Sequence, residues 1–281
     1  MLGILYLCAT PIGNLEDITY RAVRILKEVD LIGAEDTRRT KKLLNHLNIN
    51  TPLTSYHEHN KINKGPILIE KLKKGLNIAL VTDAGTPGIS DPGEDLVKLA
   101  YENNIKVVPI PGASAVISGL IISGLSTEKF VFEGFLPIEN KKKRERLSII
   151  SQEDRTIVLY EAPHRLCKTL EALYKTLGNR NISIIRELTK QYEEVKKTTF
   201  EEAIPFYKEN EAKGEFVLVI EGITREEINE IEVRKWEAIT IEKHFKQYLE
   251  TGKNQKDAMK QVAKDRGISK REVYQIIHKI K

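Results

Sequence analysis

NIALVTDAGTPGISDPG, residues 77–93, is the stretch on which the fold turns. Its first half, NIALVTDAG, reads as a buried strand and its exit loop. Two Pro-Gly steps follow, Thr86-Pro87-Gly88 and Asp91-Pro92-Gly93, and each suits positions i+1 and i+2 of a type II turn. Ile110-Pro111-Gly112 repeats the pattern at the end of the next strand, so three candidate sharp turns fall within 26 residues. Glycine at such places lets a ligand touch backbone with no Cβ in the way. In an open α/β sheet, ligands bind outside the carboxyl ends of the strands. The three steps, followed by Ser114-Ala115, therefore predict a ligand pocket.

The flanking sequence alternates in the same manner. ILYLCA (4–9) reads as a strand, Ile18 to Val29 as a helix, LIGA (31–34) as a strand and Thr37 to Leu47 as a helix. Gly65 to Lys74 is a further helix with Gly75 as its stop, Glu94 to Glu102 another, and IKVVPI (105–110) a strand. This alternation predicts a Rossmann-like N-terminal α/β domain over 1–112, with a mostly parallel sheet and helices on both faces. Beyond it, FVFEGF (130–135), TIVLYE (156–161), ISIIRE (182–187) and EFVLVIE (215–221) are strand-like. Helical stretches lie between them near 141–151, 164–177 and 200–209, which predicts a second α/β domain over 113–224. Residues 225–238 read as a polar linker. The last segment, 239–281, reads as three short helices: Ile239 to Leu249, Gln255 to Asp265, and Ser269 to Ile280 after a turn at Gly267-Ile268-Ser269. Ser269 and Glu272 form a capping-box pattern, and the arrangement is that of a helix-turn-helix.

Composition narrows the function. With 281 residues, 41% apolar and 30% charged, the chain has enough apolar material for packed cores, and global disorder is excluded. No run of about 18 uncharged apolar residues exists. The longest candidate, Ala113 to Leu125, is broken by Gly119 and Gly124. The N-terminus lacks the basic start and small-residue cleavage site of a signal peptide, so a soluble cytoplasmic protein is expected. Cys8 and Cys167 form no paired motif, which rules out a disulfide scaffold and a zinc ribbon. The net charge of +5 is uneven: residues 240–281 hold eleven Lys/Arg against five Asp/Glu, while the remainder holds 34 against 35. A basic appendage on a neutral body suggests a polyanion-binding tail.

Neither G-x-G-x-x-G nor the P-loop motif occurs, which disfavours NAD and ATP. No G-x-S-x-G elbow is present, against a serine hydrolase. AEDTR (34–38), SYHEHN (55–60), YEAPHR (160–165) and RELTK (186–190) put acids and bases at or just beyond strand ends. His57 and His59 share a face only in a strand, and no third ligand accompanies them, so no metal site is expected.

Taken together, TPIGNLEDIT (10–19), AEDTRRTKKLL (34–44), VTDAGTPGISDPG (81–93), PIPGASA (109–115), FEGFLP (132–137), YEAPHRL (160–166) and RELTK resemble the ribosomal RNA small subunit methyltransferase I family, a branch of the tetrapyrrole (corrin/porphyrin) methylases. The match runs in order over about residues 4–222, and the basic tail resembles the helix-turn-helix of many members. The resemblance implies two α/β domains with S-adenosylmethionine between them and no metal. It implies 2′-O-methylation of a cytidine in the decoding region of 16S rRNA, as free rRNA or in the 30S subunit, by a homodimer. Donor contacts carried over by motif are Pro11, Ala84, Gly85, Thr86, Ile89, Ser114 and Ala115. Relatives often have an acidic residue at the position of Thr86, and a histidine at that of Arg39. Because a 2′-hydroxyl is a poor nucleophile, a base is expected. Glu187 is the leading candidate, beside Arg186 and Lys190, with Glu133, Asp83 and Glu161 behind it. Arg38, Arg165 and Lys190 are the expected RNA-binding residues. The alternatives are methylation of a tetrapyrrole ring, which needs no basic tail, and a non-catalytic nucleic-acid-binding ligand sensor.

Overall fold

The computed structural model describes residues 1–224, 227–228, 236 and 239–278. Both sheets belong to one compact unit, Met1–Leu147 with Thr156–Glu221; Ser148–Arg155 and Gly222–Lys281 form a second.

The first sheet is built from β1 (Ile4–Cys8), β2 (Leu31–Ala34), β3 (Leu53–Ser55), β4 (Ile78–Val81) and β5 (Lys106–Ile110), in the order β3-β2-β4-β1-β5. All its pairings are parallel. Between the strands run α1 (Tyr20–Glu28), α2 (Thr37–His46), α3 (Lys61–Lys73) and α4 (Gly93–Glu102). The two-residue period of β4 divides its side chains between two cores. Ala79 and Val81 join Ile25, Leu26 and Leu44 of α1 and α2 on one face. Ile78 and Leu80 join Leu68, Leu72 and Leu96 of α3 and α4 on the other. Helix α3 begins four residues before the expected Gly65, because its first turn is polar and carries no apolar period. The short edge strand β3 also lacks a sequence signal.

The second sheet contains β6 (Phe130–Phe135), β7 (Thr156–Glu161), β8 (Asn181–Arg186), β9 (Glu194–Thr199) and β10 (Phe216–Ile220), in the order β6-β7-β10-β8-β9. Only β6 and β7 pair in parallel; β10 inserts antiparallel between β7 and β8. Its helices are α5 (Ala115–Ile122), α6 (Asn140–Ile150), α7 (Leu166–Leu177) and α8 (Phe200–Glu209). Gly119 lets α5 lie close on β10: a Cβ there would stand 2.9 Å from Val217 Cγ1. The sequence reading missed β9, whose residues EVKKTT are polar, as suits an exposed edge.

Of the three Pro-Gly steps, only Pro87-Gly88 has the positive φ (+89°) that a type II turn requires at its glycine. Pro92 instead caps α4, with Gly93 as the first helical residue. Gly112 is needed for proximity, since a Cβ there would lie 2.9 Å from Ala9 Cβ.

In the second unit, α9 (Ile241–Glu250), α10 (Gln255–Asp265) and α11 (Lys270–His278) surround a core of Phe245, Met259, Val262, Ala263 and Val273. The capping box forms: Ser269 N–H donates to Glu272 Oε2 at 2.7 Å, and Glu272 N–H to Ser269 Oγ at 3.2 Å. Most of the expected linker at 225–238, and residues 279–281, lie outside the described residues.

Candidate active site

The exits of β1, β4 and β5 are tied into one rim. Gly85 N–H donates to the Thr10 carbonyl at 3.1 Å, and Thr10 N–H donates back to Gly85 O at 2.9 Å. Thr10 Oγ1 donates to Thr82 O at 3.2 Å. Thr86 Oγ1 donates to Ala113 O at 3.1 Å, so this hydroxyl joins two exits. The turn beyond is held by Asp91. Its carboxylate accepts from Gly88 N–H, 2.9 Å to each oxygen, and from Gly93 N–H at 2.7 Å. Burial, with Glu35 nearby, pushes the Asp91 carboxyl up, against the pull of these hydrogen bonds.

Gly85 has φ +84°, and a Cβ on it would sit 3.3 Å from Ile12 Cγ2. A β-branched side chain is strained at that φ. Gly85→Val is therefore expected to destabilise the fold by about 1–3 kcal/mol. Thermal unfolding checks this, and an unchanged melting temperature would count against the strain.

Inside the rim lies a cavity of about 530 Å³. The second sheet closes it with Phe135, Tyr160, Leu188 and Val217. Five acidic residues line it, Glu35, Asp83, Asp91, Glu161 and Glu215; among the described residues the basic ones that line it are Arg39 and His164. Glu161 is 2% exposed yet fully engaged. It accepts from Thr169 Oγ1 at 2.5 Å and Ala162 N–H at 2.8 Å, and pairs with Arg165 at 3.3 Å. Asp83 accepts from Asp36 N–H at 3.0 Å and pairs with Arg39 at 3.1 Å.

Of the residues expected to hold the donor, Ala84, Gly85, Thr86, Ile89, Ser114 and Ala115 line this cavity. Pro11 lines a smaller one beside it. Glu187 lines neither, although its neighbour Leu188 and its partner Glu215 line the larger. The Glu187 carboxylate accepts from Lys190 Nζ and from Glu215 N–H, both at 2.9 Å. Burial works against its ionised form, but these bonds and the Lys190 and Arg186 charges outweigh it and hold the carboxyl below its ordinary range. A Cβ on Gly214 would lie 2.5 Å from that carboxylate, so glycine makes room for it.

The expected RNA-binding residues also lie outside the cavity walls. Arg165 is occupied by Glu161 and by the Leu136 carbonyl, at 2.6 Å. Lys190 bridges Glu187 and Glu215. The Arg38 side chain is 87% exposed and forms two hydrogen bonds to Asp36. The candidate base Glu133 is bound by Arg146. His57 and His59 stand with ring centroids 6.0 Å apart, and no group of three or more potential metal ligands exists among the described residues. Sequence reasoning missed the part played by Glu215, Phe216 and Val217. They reach the cavity because β10 runs antiparallel, which places its start beside the ends of β7 and β8.

A glycine rim at strand ends, closed by a second mixed sheet, is the arrangement of a known class. Residues 4–204 match the family model of the tetrapyrrole (corrin/porphyrin) methylases. A crystal structure of uroporphyrin-III C-methyl transferase from Thermus thermophilus, complexed with S-adenyl homocysteine, has a similar fold. The TM-score is 0.57 at 16% identity, over 78% of this chain and 97% of that one. The ribosomal RNA small subunit methyltransferase I of Halalkalibacterium halodurans is 53% identical over 276 residues, 98% of this chain and 95% of its own. That of Bacillus subtilis (strain 168) is 50% identical over 277 residues, 99% and 94%. The chain belongs to the ribosomal RNA small subunit methyltransferase I family, within the tetrapyrrole methylases.

Proposed function

We propose that this chain transfers a methyl group from S-adenosylmethionine to the ribose 2′-hydroxyl of a cytidine in the decoding region of 16S rRNA. The observation that carries this reading is the acid-rich cavity at the strand ends. Its acidic lining, Glu35 and Asp83 above all, suits a donor that carries a sulfonium and an amino group, while its apolar walls and glycine rim fit the uncharged parts. When bound, the donor supplies a methyl carbon already activated by sulfur. A bond from ribose oxygen to that carbon displaces a neutral thioether and releases the hydroxyl proton.

The chain's contribution begins with alignment. Holding two reactants in line supplies up to roughly 7–11 kcal/mol of barrier reduction. The rim bonds among Thr10, Gly85, Thr86 and Asp91 fix the donor loop for this purpose. For the proton we assign Asp83, which lines both cavities, in place of Glu187, which lines neither. Glu187 then acts as a strut, pairing with Lys190 and bonding the Glu215 backbone at the cavity edge.

The test is to incubate the full chain and labelled donor with bare rRNA and with 30S subunits, and to map the label. It is expected on a ribose oxygen, leaving that nucleotide resistant to alkaline cleavage because the 2′-oxygen no longer attacks the adjacent phosphate. Label on a base, or on a tetrapyrrole in preference to RNA, would overturn the reading.

A further inference from the structure

The smaller cavity, about 230 Å³, shares Arg39, Thr82 and Asp83 with the larger one. We propose that it is the binding site for a single nucleotide of the RNA, the one to be methylated; this rests on reading the larger cavity as the donor site. Four observations converge on it.

The first is connection. The two cavities share three wall residues, Arg39, Thr82 and Asp83, so a group seated in one lies next to the same side chains as a group seated in the other.

The second is charge. The larger cavity has five carboxylates, whereas the smaller has Asp83 alone, set against Arg39 and Lys42. Lys41 also stands on α2, and neither Lys41 nor Lys42 has an ion pair among the described residues. The first turns of α2 add the positive end of a helix dipole. With Asp83 paired to Arg39, Glu161 to Arg165 and Glu215 to Lys190, the lining charges without an ion pair among the described residues are Glu35 and Asp91 in the larger cavity and Lys42 in the smaller, which suits a cationic donor in the first and an anionic polymer in the second.

The third is the apolar wall. Pro11, Leu15 and Leu43 line the cavity, and Leu15 is left 43% exposed. A flipped base packs between apolar side chains, and an apolar wall beside lysine and arginine offers that packing with cations at hand for the phosphates.

The fourth is size. Pockets for whole small ligands measure about 300–1,000 Å³, so this one takes part of a larger molecule. A nucleotide turned out of its strand is such a part; a ring of four pyrroles exceeds it. A ribose there lies next to Asp83, on the shared wall.

The site is probed with cytidine 3′,5′-bisphosphate, which carries a phosphate on either side of one nucleoside. Calorimetry on the full chain saturated with S-adenosylhomocysteine reads its affinity. Lys42 and Leu15 are exposed, so Lys42→Glu and Leu15→Asp are expected to fold, as thermal unfolding verifies. Loss of a hydrogen bond to a charged group corresponds to roughly tenfold or more in affinity. Lys42→Glu is therefore expected to bind the bisphosphate more weakly by that factor, and Leu15→Asp more weakly because it replaces apolar wall with a charge that repels phosphate; both are expected to raise KM for RNA, with affinity for S-adenosylhomocysteine unchanged. Wild-type affinity and KM in both variants, or no bisphosphate binding by the unaltered chain, overturns the site. Variants that lose donor affinity equally overturn it too. A chain that binds bisphosphate through these residues but methylates no RNA refutes the reaction and leaves the site standing. A chain that methylates rRNA while the variants behave as wild type does the reverse.

Discussion

Asp83→Asn is expected to slow methyl transfer by about 10²–10⁴-fold, the contribution a positioned base makes to proton removal. The expectation rests on placement. Asp83 is the one carboxylate on the wall common to the two cavities, and the rim at β4 fixes it: Asp36 N–H donates to Oδ1 and Arg39 pairs with Oδ2. Asparagine keeps the shape and can still accept the Asp36 bond, so the loop is expected to hold and affinity for the donor to change little. The loss then appears in kcat at saturating RNA, because proton removal matters only as the new bond forms. Glu187→Gln is the control. Its carboxylate is filled by Lys190 and the Glu215 backbone, so this change is expected to lower thermal stability more than kcat. Single-turnover rates decide between them. Full activity in Asp83→Asn together with a Glu187→Gln that has lost activity would return the proton to Glu187.

The difference between those two carboxylates marks where the sequence stops being readable. The β4 loop was legible as a rim at a strand exit because its signals are local: an apolar run, then Pro and Gly at fixed offsets. The tail's capping box was legible for the same reason, since Ser269 and Glu272 find each other across one turn. Strands buried on both faces, such as β4 and β10, declare themselves as apolar runs. An edge strand such as β9 has no such run, because one side of it meets water. The partners of Glu187 were illegible in part: Lys190 is three residues away, but Glu215 and Gly214 come from the next strand but one in the chain, and only the antiparallel insertion of β10 brings them near. Asp91 shows a related limit. In sequence it opens a Pro-Gly step; in the fold it anchors the preceding turn, a role set by which N–H groups lack other partners. Motif residues told where the cavity is, and contacts between distant segments decided how Asp83 and Glu187 are held.

Deleting residues 240–281 is expected to leave the two sheets folded while weakening RNA binding in a salt-dependent manner. The tail closes a core of its own, in which Phe245 meets Ala258, Met259, Val262, Ala263 and Val273. Within the tail, the cations divide into two sets. Arg266 is internal: it donates to His244 Nδ1 at 3.2 Å and to the Ile239 carbonyl at 2.5 Å, bracing the first helix against the second. Burial, then the Arg266 charge, pushes the His244 imidazole down against the pull of Asp265, in keeping with a ring nitrogen that accepts that bond. Lys256, Lys260 and Lys264 are exposed at four-residue steps along α10, opposite its buried Ala258, Met259, Val262 and Ala263. Lys270 and Arg271 stand exposed at the start of α11, one turn before the exposed Tyr274. A solvated face is the ordinary fate of lysines, but a run of exposed cations set apart from the internal arginine fits a phosphate chain. Each phosphate contact contributes about 0.7–0.9 to the slope of log affinity against log salt. With roughly three or four contacts, the truncated chain should bind RNA with a slope flatter by about two to four units, and with donor affinity unchanged. Filter binding across a salt series measures it. An unchanged slope would remove the tail from the RNA interface, and a truncated chain that loses self-association instead would make the three helices an assembly lobe.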